Sequence, residues 1–89
     1  MARVHFTANL QRHVPAPSVE AAGNSVRAVF DRVFESHPLL RGYVLDEHGA
    51  LRKHMLVFLN GAMLVDRAAL SDAVTADADI YVMQALSGG

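Results

Sequence analysis

The chain has 89 residues, of which 52% are hydrophobic and 19% are charged, and its formal net charge is −1. A chain of this length folds as one small domain, and this apolar fraction is sufficient for a packed core. The nearly balanced charge, without a block of like charges, leaves no electrostatic footprint for nucleic acid or an anionic membrane. The lack of cysteine excludes disulfides, thiolate nucleophiles and thiolate-bound zinc or iron–sulfur centres.

The sequence shows no targeting segment and no membrane span. Residues 1–6 lack a long apolar run followed by a small-residue cleavage site. No stretch approaches the roughly 20 apolar residues that a membrane helix needs. We therefore expect a cytoplasmic protein that binds neither membranes nor nucleic acids.

The chain opens with the pattern of a β-hairpin. Apolar residues alternate with polar ones at Val4, Phe6, Ala8 and Leu10. This period of two predicts a half-buried strand. A loop with two prolines at 13–17 then leads into a short second strand at 18–22, with Val19 and Ala21 facing inward.

The next segment predicts the main helix. Asn24 and Ser25 are residues that cap the first turn of a helix. Apolar residues then recur at helical spacing at Val26, Val29, Phe30, Val33 and Phe34. Pro38 ends the helix, because proline disfavours the helical conformation of the residue before it. We expect residues 39–45 to form an apolar connection under the helix, with Gly42 allowing a bend.

The second half of the chain predicts three more strands. A polar turn at 46–49 precedes a long strand signal at 51–59, which is apolar on both faces. Such a strand is central in its sheet or exposed at an interface. Asn60-Gly61 is a strong signal for a type I′ hairpin, so residues 62–65 return as a strand. A polar, alanine-rich loop then leads into a final strand at 80–86.

This order of elements predicts a single α+β domain spanning residues 1–89. One helix that crosses one face of a mixed four- to five-stranded sheet buries its single apolar stripe. The first and last strands would pair in parallel at the centre of the sheet. That arrangement is the β-grasp, or ubiquitin-like, fold.

The sequence ends in Ser87-Gly88-Gly89, directly after the predicted last strand. Glycine has no Cβ and adopts extended and left-handed conformations without steric cost, so Gly88 and Gly89 could enter a narrow channel in another protein. The same residues are also typical of an ordinary frayed terminus, or of a sequence added for expression. Our hypothesis is a flexible tail at 87–89 whose terminal carboxylate is the working group.

Together these features resemble the ubiquitin-like sulfur carriers of the ThiS/MoaD family. The resemblance runs over nearly the whole chain. It includes the opening strand, the capped helix around 25–30, the strand and turn at 57–61, an acidic turn before the last strand, and terminal Gly88-Gly89.

The chain departs from the family pattern near its last strand. Family members commonly have a Gly-Asp pair before that strand and prolines within it, where this chain has Ala76-Asp77-Ala78-Asp79 and Val82-Met83-Gln84. The segment at 45–52 is longer than in the thiamine carriers. It is more similar to the carriers of cysteine biosynthesis and related thiocarboxylate pathways.

The resemblance implies a carrier, a protein co-substrate and not an enzyme. It implies that a ubiquitin-activating-like enzyme adenylates Gly89 with ATP and magnesium. A sulfur donor of the cysteine desulfurase or rhodanese type then makes the thiocarboxylate, and a synthase or sulfhydrylase accepts the sulfur for cysteine, thiamine, molybdopterin or a related metabolite. The reacting carboxylate at Gly89, with Gly88 beside it, would need no bound cofactor and no catalytic side chain.

Partner recognition is expected on the sheet face beside the tail. The candidate contacts are outward residues of the central and last strands and the base of the tail: Leu56, Phe58, Tyr81, Met83, Leu86 and Ser87. Exposed apolar residues are typical of interfaces, whereas the alternative is that they complete the core of a small domain. Arg52 and Lys53 are interpreted as a solvated surface, with polar contacts at the interface rim as the alternative.

Other chemistries find little support in the sequence. The five histidines lie on different elements, and only His5 and His54 could be strand neighbours, so no metal site is predicted. Asp77 and Asp79 are interpreted as turn residues and not as an acid–base pair. Two other functions stay open: the small subunit of molybdopterin synthase, and a ubiquitin-like interaction domain or modifier without sulfur transfer.

Overall fold

The fold is a mixed sheet of five strands with two helices, seen in a computed structural model that describes residues 1–7 and 18–84. The strands are β1 (Ala2–Phe6), β2 (Ser18–Ala21), β3 (Met55–Leu59), β4 (Ala62–Met63) and β5 (Asp79–Gln84). The helices are α1 (Val26–Ser36) and α2 (Pro38–Val44). The strand order is β2-β1-β5-β3-β4. Within the described ranges, no helix is long and apolar enough to cross a membrane.

The first and last strands pair in parallel, as predicted. Their register places Val4 opposite Ile80 and Phe6 opposite Val82, and all four side chains are buried. β3 lies antiparallel on the other side of β5, so the last strand is the central one. A parallel pair needs a long crossover connection, and here that connection carries both helices. The predicted β-grasp arrangement is therefore confirmed.

The predicted opening hairpin is also present. β2 pairs antiparallel with β1, and it turns Ala21 into the core and Val19 partly into it. The predictions for Ala8, Leu10 and the loop at 13–17 lie outside the described residues.

Helix α1 has the predicted cap and the predicted buried stripe. The Oγ of Ser25 accepts a hydrogen bond from the backbone N–H of Ala28 at 3.1 Å. The stripe residues are all buried: Val26, Val29, Phe30, Val33 and Phe34. Because the spacing of apolar residues fixes which side of a helix enters the core, this element follows from local sequence alone.

The long loop at 64–78 is fixed to the N-terminus of α1. The first amides of a helix have no partner within the helix. Here the N–H of Val26 donates to the Asp72 carbonyl at 3.0 Å, and the N–H of Arg27 donates to the Leu70 carbonyl at 2.9 Å. The Leu70 side chain is fully buried. A segment without helix or strand is thus held by the helix end and by the core.

Asp66 organises the first turn of that loop. Its carboxylate accepts hydrogen bonds from the backbone N–H groups of Ala68, Ala69 and Ser71 and from the Ser71 hydroxyl. These donors, first of all the Ser71 hydroxyl, stabilise the charged form and lower the pKa of Asp66 to about 2.

Helix α2 replaces the apolar connection predicted at 39–45. Pro38 is its first residue, where the fixed φ of proline suits a helix and its missing N–H needs no partner. Leu40 and Val44 point into the core, and Gly42 lies within the helix instead of at a bend. The proline that ends α1 therefore also starts α2.

β3 and β4 are shorter than predicted. Leu51 forms an isolated bridge with Leu45, and the guanidinium of Arg67 donates to two main-chain carbonyls between this bridge and the centre of β3. These contacts hold the 51–54 segment outside the sheet. The turn itself is confirmed, since Asn60 and Gly61 have φ values of 50° and 86°, as a type I′ turn requires.

We expect Ser25→Ala to lower the free energy of unfolding by about 1 kcal/mol, because it removes the acceptor for an N–H of the first helical turn. Urea denaturation measures this loss. Ser36→Ala, at the exposed last residue of α1, is the matched control and should change stability by less than about 0.5 kcal/mol. Equal losses in the two variants would contradict the cap.

The low pKa of Asp66 predicts a specific sensitivity to acid. A carboxyl whose folded pKa lies below its unfolded value contributes stability above that unfolded value, here 3.8, and loses the contribution as pH falls towards about 2. Asp66→Asn should therefore be less stable than the parent near neutral pH and lose less stability on acidification through this window. Denaturant unfolding at several pH values tests this, and parallel acid profiles would contradict it.

Candidate functional site

Among the described residues, the helices cover one face of the sheet and no helix covers the other, which we call the open face. The predicted contact residues on strands lie on the open face. Leu56 is directly opposite Met83, and Phe58 is directly opposite Tyr81. Directly opposed side chains on neighbouring strands lie close enough to contact each other. The structure therefore brings Leu56, Phe58, Tyr81 and Met83 together in two adjacent cross-strand pairs.

This group lies outside the buried core. Tyr81 is 42% exposed, and the other three side chains are half-buried. Met63, opposite Phe58 on β4, is 56% exposed and extends the group. None of these side chains belongs to the cluster of buried core residues. We call Leu56, Phe58, Met63, Tyr81 and Met83 the apolar face.

Met63 is not among the contact residues predicted from the sequence, although the Asn60-Gly61 turn indicates its position. A two-residue turn at Asn60-Gly61 fixes the register of the hairpin. That register places Met63 opposite Phe58, and therefore on the same side of the sheet.

A polar cluster borders the apolar face on β1 and β5. The Nε2 of His5 lies 2.9 Å from Oδ1 of Asp79, and the His5 ring stacks on the Tyr81 ring with centroids 4.4 Å apart. The Arg3 guanidinium is 3.9 Å from the same Asp79 oxygen. The suggested neighbourhood of His5 and His54 is wrong, because β1 pairs only with β2 and β5. Asp79 is thus a partner of His5 and the first residue of β5, not only a turn residue.

The central strand ends beside the apolar face. Gln84, the last residue of β5, is opposite Met55, and the Leu56–Met83 pair is the next position along the two strands. The predictions for the rest of the chain lie outside the described residues: Leu86, Ser87, Gly88 and Gly89.

Arg52 has a different role from the one predicted. Its Nε donates to the Gly42 carbonyl at 2.8 Å, and its backbone N–H donates to the Val44 carbonyl at 3.0 Å. Arg52 therefore fastens the segment before β3 to α2 and is not a freely solvated side chain. Lys53 beside it is exposed, as predicted.

Two further surface properties concern metal and ligand binding. Across the described ranges, no group of three or more His, Cys, Asp or Glu side chains could hold a metal ion. A groove of about 320 Å³ lies between β2 and the end of α1, and its walls include Val19, Arg32 and His37. It lies at the β2 edge of the sheet, so it is not part of the apolar face.

The fold and its open apolar face define a ubiquitin-like β-grasp protein. No protein-family model matches the chain, and no curated protein matches its sequence significantly. A solved chain in the BexX/CysO complex of Amycolatopsis orientalis matches with a TM-score of 0.88 at 23% identity, over 100% of both chains. CysO from Mycobacterium tuberculosis matches with a TM-score of 0.85 at 18% identity, over 97% of this chain and 100% of CysO.

A third neighbour is SAMP1 from Haloferax volcanii, with a TM-score of 0.78 at 26% identity, over 99% of this chain and 98% of SAMP1. SAMP1 is named a small archaeal modifier protein. The resemblance to ubiquitin-like sulfur carriers that the sequence predicted is therefore confirmed at the level of the fold.

The assignment of faces can be tested with two neighbouring residues of β5. Ile80 is fully buried, so Ile80→Ser should cost about 3 kcal/mol or more of unfolding free energy. Tyr81 is on the open face, so Tyr81→Ser should cost about 1 kcal/mol, through lost cross-strand contacts. Urea denaturation gives both values, and a similar cost at the two positions would show that the faces are wrongly assigned.

Proposed function

We propose that this protein is a cytoplasmic sulfur carrier whose Gly89 carboxylate is converted to a thiocarboxylate. The observation that carries the proposal is the position of β5. This strand is central in the sheet, contributes Tyr81 and Met83 to the apolar face, and ends at Gln84, shortly before Gly89. The reacting end of the chain would therefore follow directly from the strand that helps to form the docking surface.

Activation of the carboxylate is the chemical step that requires a partner. A free carboxylate is a poor electrophile, because its leaving group would be oxide. An adenylating enzyme that uses ATP and magnesium would form a mixed anhydride between Gly89 and AMP and release pyrophosphate, so that AMP is the leaving group of the next step. The outer sulfur of a persulfide on a donor of the cysteine desulfurase or rhodanese type would displace AMP and join Gly89 to the donor as an acyl disulfide. A thiol reductant would then cleave the S–S bond, which leaves the thiocarboxylate on Gly89 and a disulfide between the donor and the reductant. A synthase or sulfhydrylase would then accept the sulfur.

The chain itself would bind the partner and position the Gly89 carboxylate, and the partner would supply the catalytic groups. Gly88 and Gly89 carry no Cβ that could obstruct a narrow channel or crowd the carbonyl under attack. Three extended residues, 87–89, reach about 10 Å, which is sufficient for a recessed active site.

The apolar face is the proposed docking surface for the adenylating enzyme, with Leu86 and Ser87 as contacts at the base of the tail. Its support is the cluster of half-buried and exposed apolar side chains on β3, β4 and β5, since contiguous exposed apolar surface marks interaction sites. A solved neighbour is also a member of a complex, that of BexX and CysO.

A modifier function is the second candidate. SAMP1 is named a small archaeal modifier protein, and its chain is 26% identical to this one. In this case the activated Gly89 would be transferred to an amine of another protein, and AMP would leave in the same way. The two functions share the adenylation step and differ in the acceptor.

Intact-mass spectrometry of the protein from its native host tests the proposal. We expect a chain that ends at Gly89 and carries the mass difference between sulfur and oxygen, with an AMP adduct when the adenylating enzyme and ATP are present. A chain that lacks Gly89 is the matched control. It should acquire neither sulfur nor AMP, and it should lose its activity as a sulfur carrier.

Other outcomes of this experiment separate the alternatives. Conjugates of higher mass would favour the modifier, whereas copurification of the protein as a stable hetero-oligomer would favour a subunit of a synthase. A native protein that never carries AMP or sulfur, together with full activity of the truncated chain, would refute the carrier function.

A further inference from the structure

We infer that His5 and Asp79 form a positioning pair that holds the ring of Tyr81 in the apolar face and thereby sets the affinity of this face for the activating partner. Only the effect on partner affinity rests on the proposed function. The contact between His5, Asp79 and Tyr81 is a property of the free protein and can be tested without a partner.

The rings of His5 and Tyr81 contact each other across the first and last strands. His5 and Tyr81 are opposite each other in the parallel pair of β1 and β5. Their ring centroids are 4.4 Å apart and the rings are inclined by only 18°, which is a stacked arrangement. The side chain of His5 is 24% exposed, whereas Tyr81 is 42% exposed. The imidazole therefore covers one side of a tyrosine ring that otherwise faces outward.

The Asp79 carboxylate holds the His5 ring in place. Its Nε2 lies 2.9 Å from Oδ1 of Asp79 and donates to it when that nitrogen carries the proton. The backbone of Asp79 is itself held on both sides: its N–H donates to Oδ1 of Asn60 at 2.9 Å, and its carbonyl accepts from the Asn60 N–H at 2.8 Å. Because Asn60 lies in the type I′ turn, a chain of contacts runs from that turn through Asp79 and His5 to Tyr81.

Tyr81 links this polar cluster to the apolar face. Tyr81 lies between His5 on one side and Phe58 on the other, and Phe58 is in turn opposite Met63. A contact residue that is already ordered loses less side-chain freedom when a partner binds, so a fixed Tyr81 ring favours binding. His5 and Asp79 are thus positioning residues that act through Tyr81.

Arg3 provides a matched control within the same cluster. Its guanidinium approaches the same oxygen of Asp79, but only to 3.9 Å, and its side chain is 57% exposed. Arg3 does not stack on Tyr81, and it lies opposite Asp79 in the sheet. Removing its charge should therefore leave the Tyr81 ring in place.

The first arm of the experiment observes Tyr81 directly. The chain has two tyrosines and no tryptophan, so in a Tyr43→Phe background the tyrosine signal in near-ultraviolet circular dichroism comes from Tyr81 alone. His5→Ala and Asp79→Ala should abolish most of this signal while the far-ultraviolet spectrum is unchanged. Asp79→Asn keeps an acceptor oxygen and should restore the signal, and Arg3→Gln should retain it. A signal that survives both alanine variants would overturn the positioning pair.

The second arm measures adenylation of each variant by the adenylating enzyme of the same host, with ATP and magnesium, as pyrophosphate release. We expect the KM for the carrier to rise roughly tenfold in the two alanine variants, which corresponds to about 1.4 kcal/mol of binding, with kcat unchanged. Asp79→Asn and Arg3→Gln should stay within about twofold of the parent, a change well below 1.4 kcal/mol. An unchanged KM in variants that have lost the Tyr81 signal would overturn the link to binding.

The two arms fail independently. If the enzyme adenylates neither the parent nor any variant, the proposed function is wrong, and the first arm still decides whether His5 and Asp79 hold Tyr81. If adenylation occurs and the Tyr81 signal is insensitive to His5 and Asp79, the proposed function stands and the positioning pair is wrong.

Discussion

The parallel pairing of β1 with β5 is the constraint on which the rest of the structure depends. It joins the two ends of the described chain and buries Val4, Phe6, Ile80 and Val82 between the sheet and the helices. Because the connection between parallel strands must cross the sheet, both helices lie on one face, and no helix of the described ranges covers the other. The same pairing makes β5 the central strand, and β5 ends at Gln84 next to the apolar face.

The loops that contain Gly49 and Ala69 lack helix and strand, and hydrogen bonds hold them to α1. The guanidinium of Arg27, in the first turn of α1, donates to the Gly49 carbonyl at 2.7 Å and to the Ala69 carbonyl at 3.2 Å. One side chain thus ties two loops to the helix, and Asp66 orders the turn in one of them. These contacts fix both loops relative to the helix and the sheet that packs against it.

The parts that the sequence predicted are those set by neighbours along the chain: the Ser25 cap, the stripe of α1 and the Asn60-Gly61 turn. Helix α2 was missed because its seven residues are too short for a periodic pattern and contain a proline and a glycine. The outward residues of β3 and β5 were found from alternation alone. The contact of His5 with Asp79 was not, because it joins residues 74 positions apart and depends on the register of β1 against β5.

The central claim is that the apolar face and the end of β5 engage the activating enzyme together. The most direct measurement is chemical-shift mapping of the isotope-labelled chain during titration with that enzyme. The account predicts shifts at Leu56, Phe58, Met63, Tyr81, Met83 and the terminal glycines, with exposed Asp31 and Glu35 on α1 unaffected. Shifts confined to α1 and the β2 edge, with the apolar face silent, would contradict it.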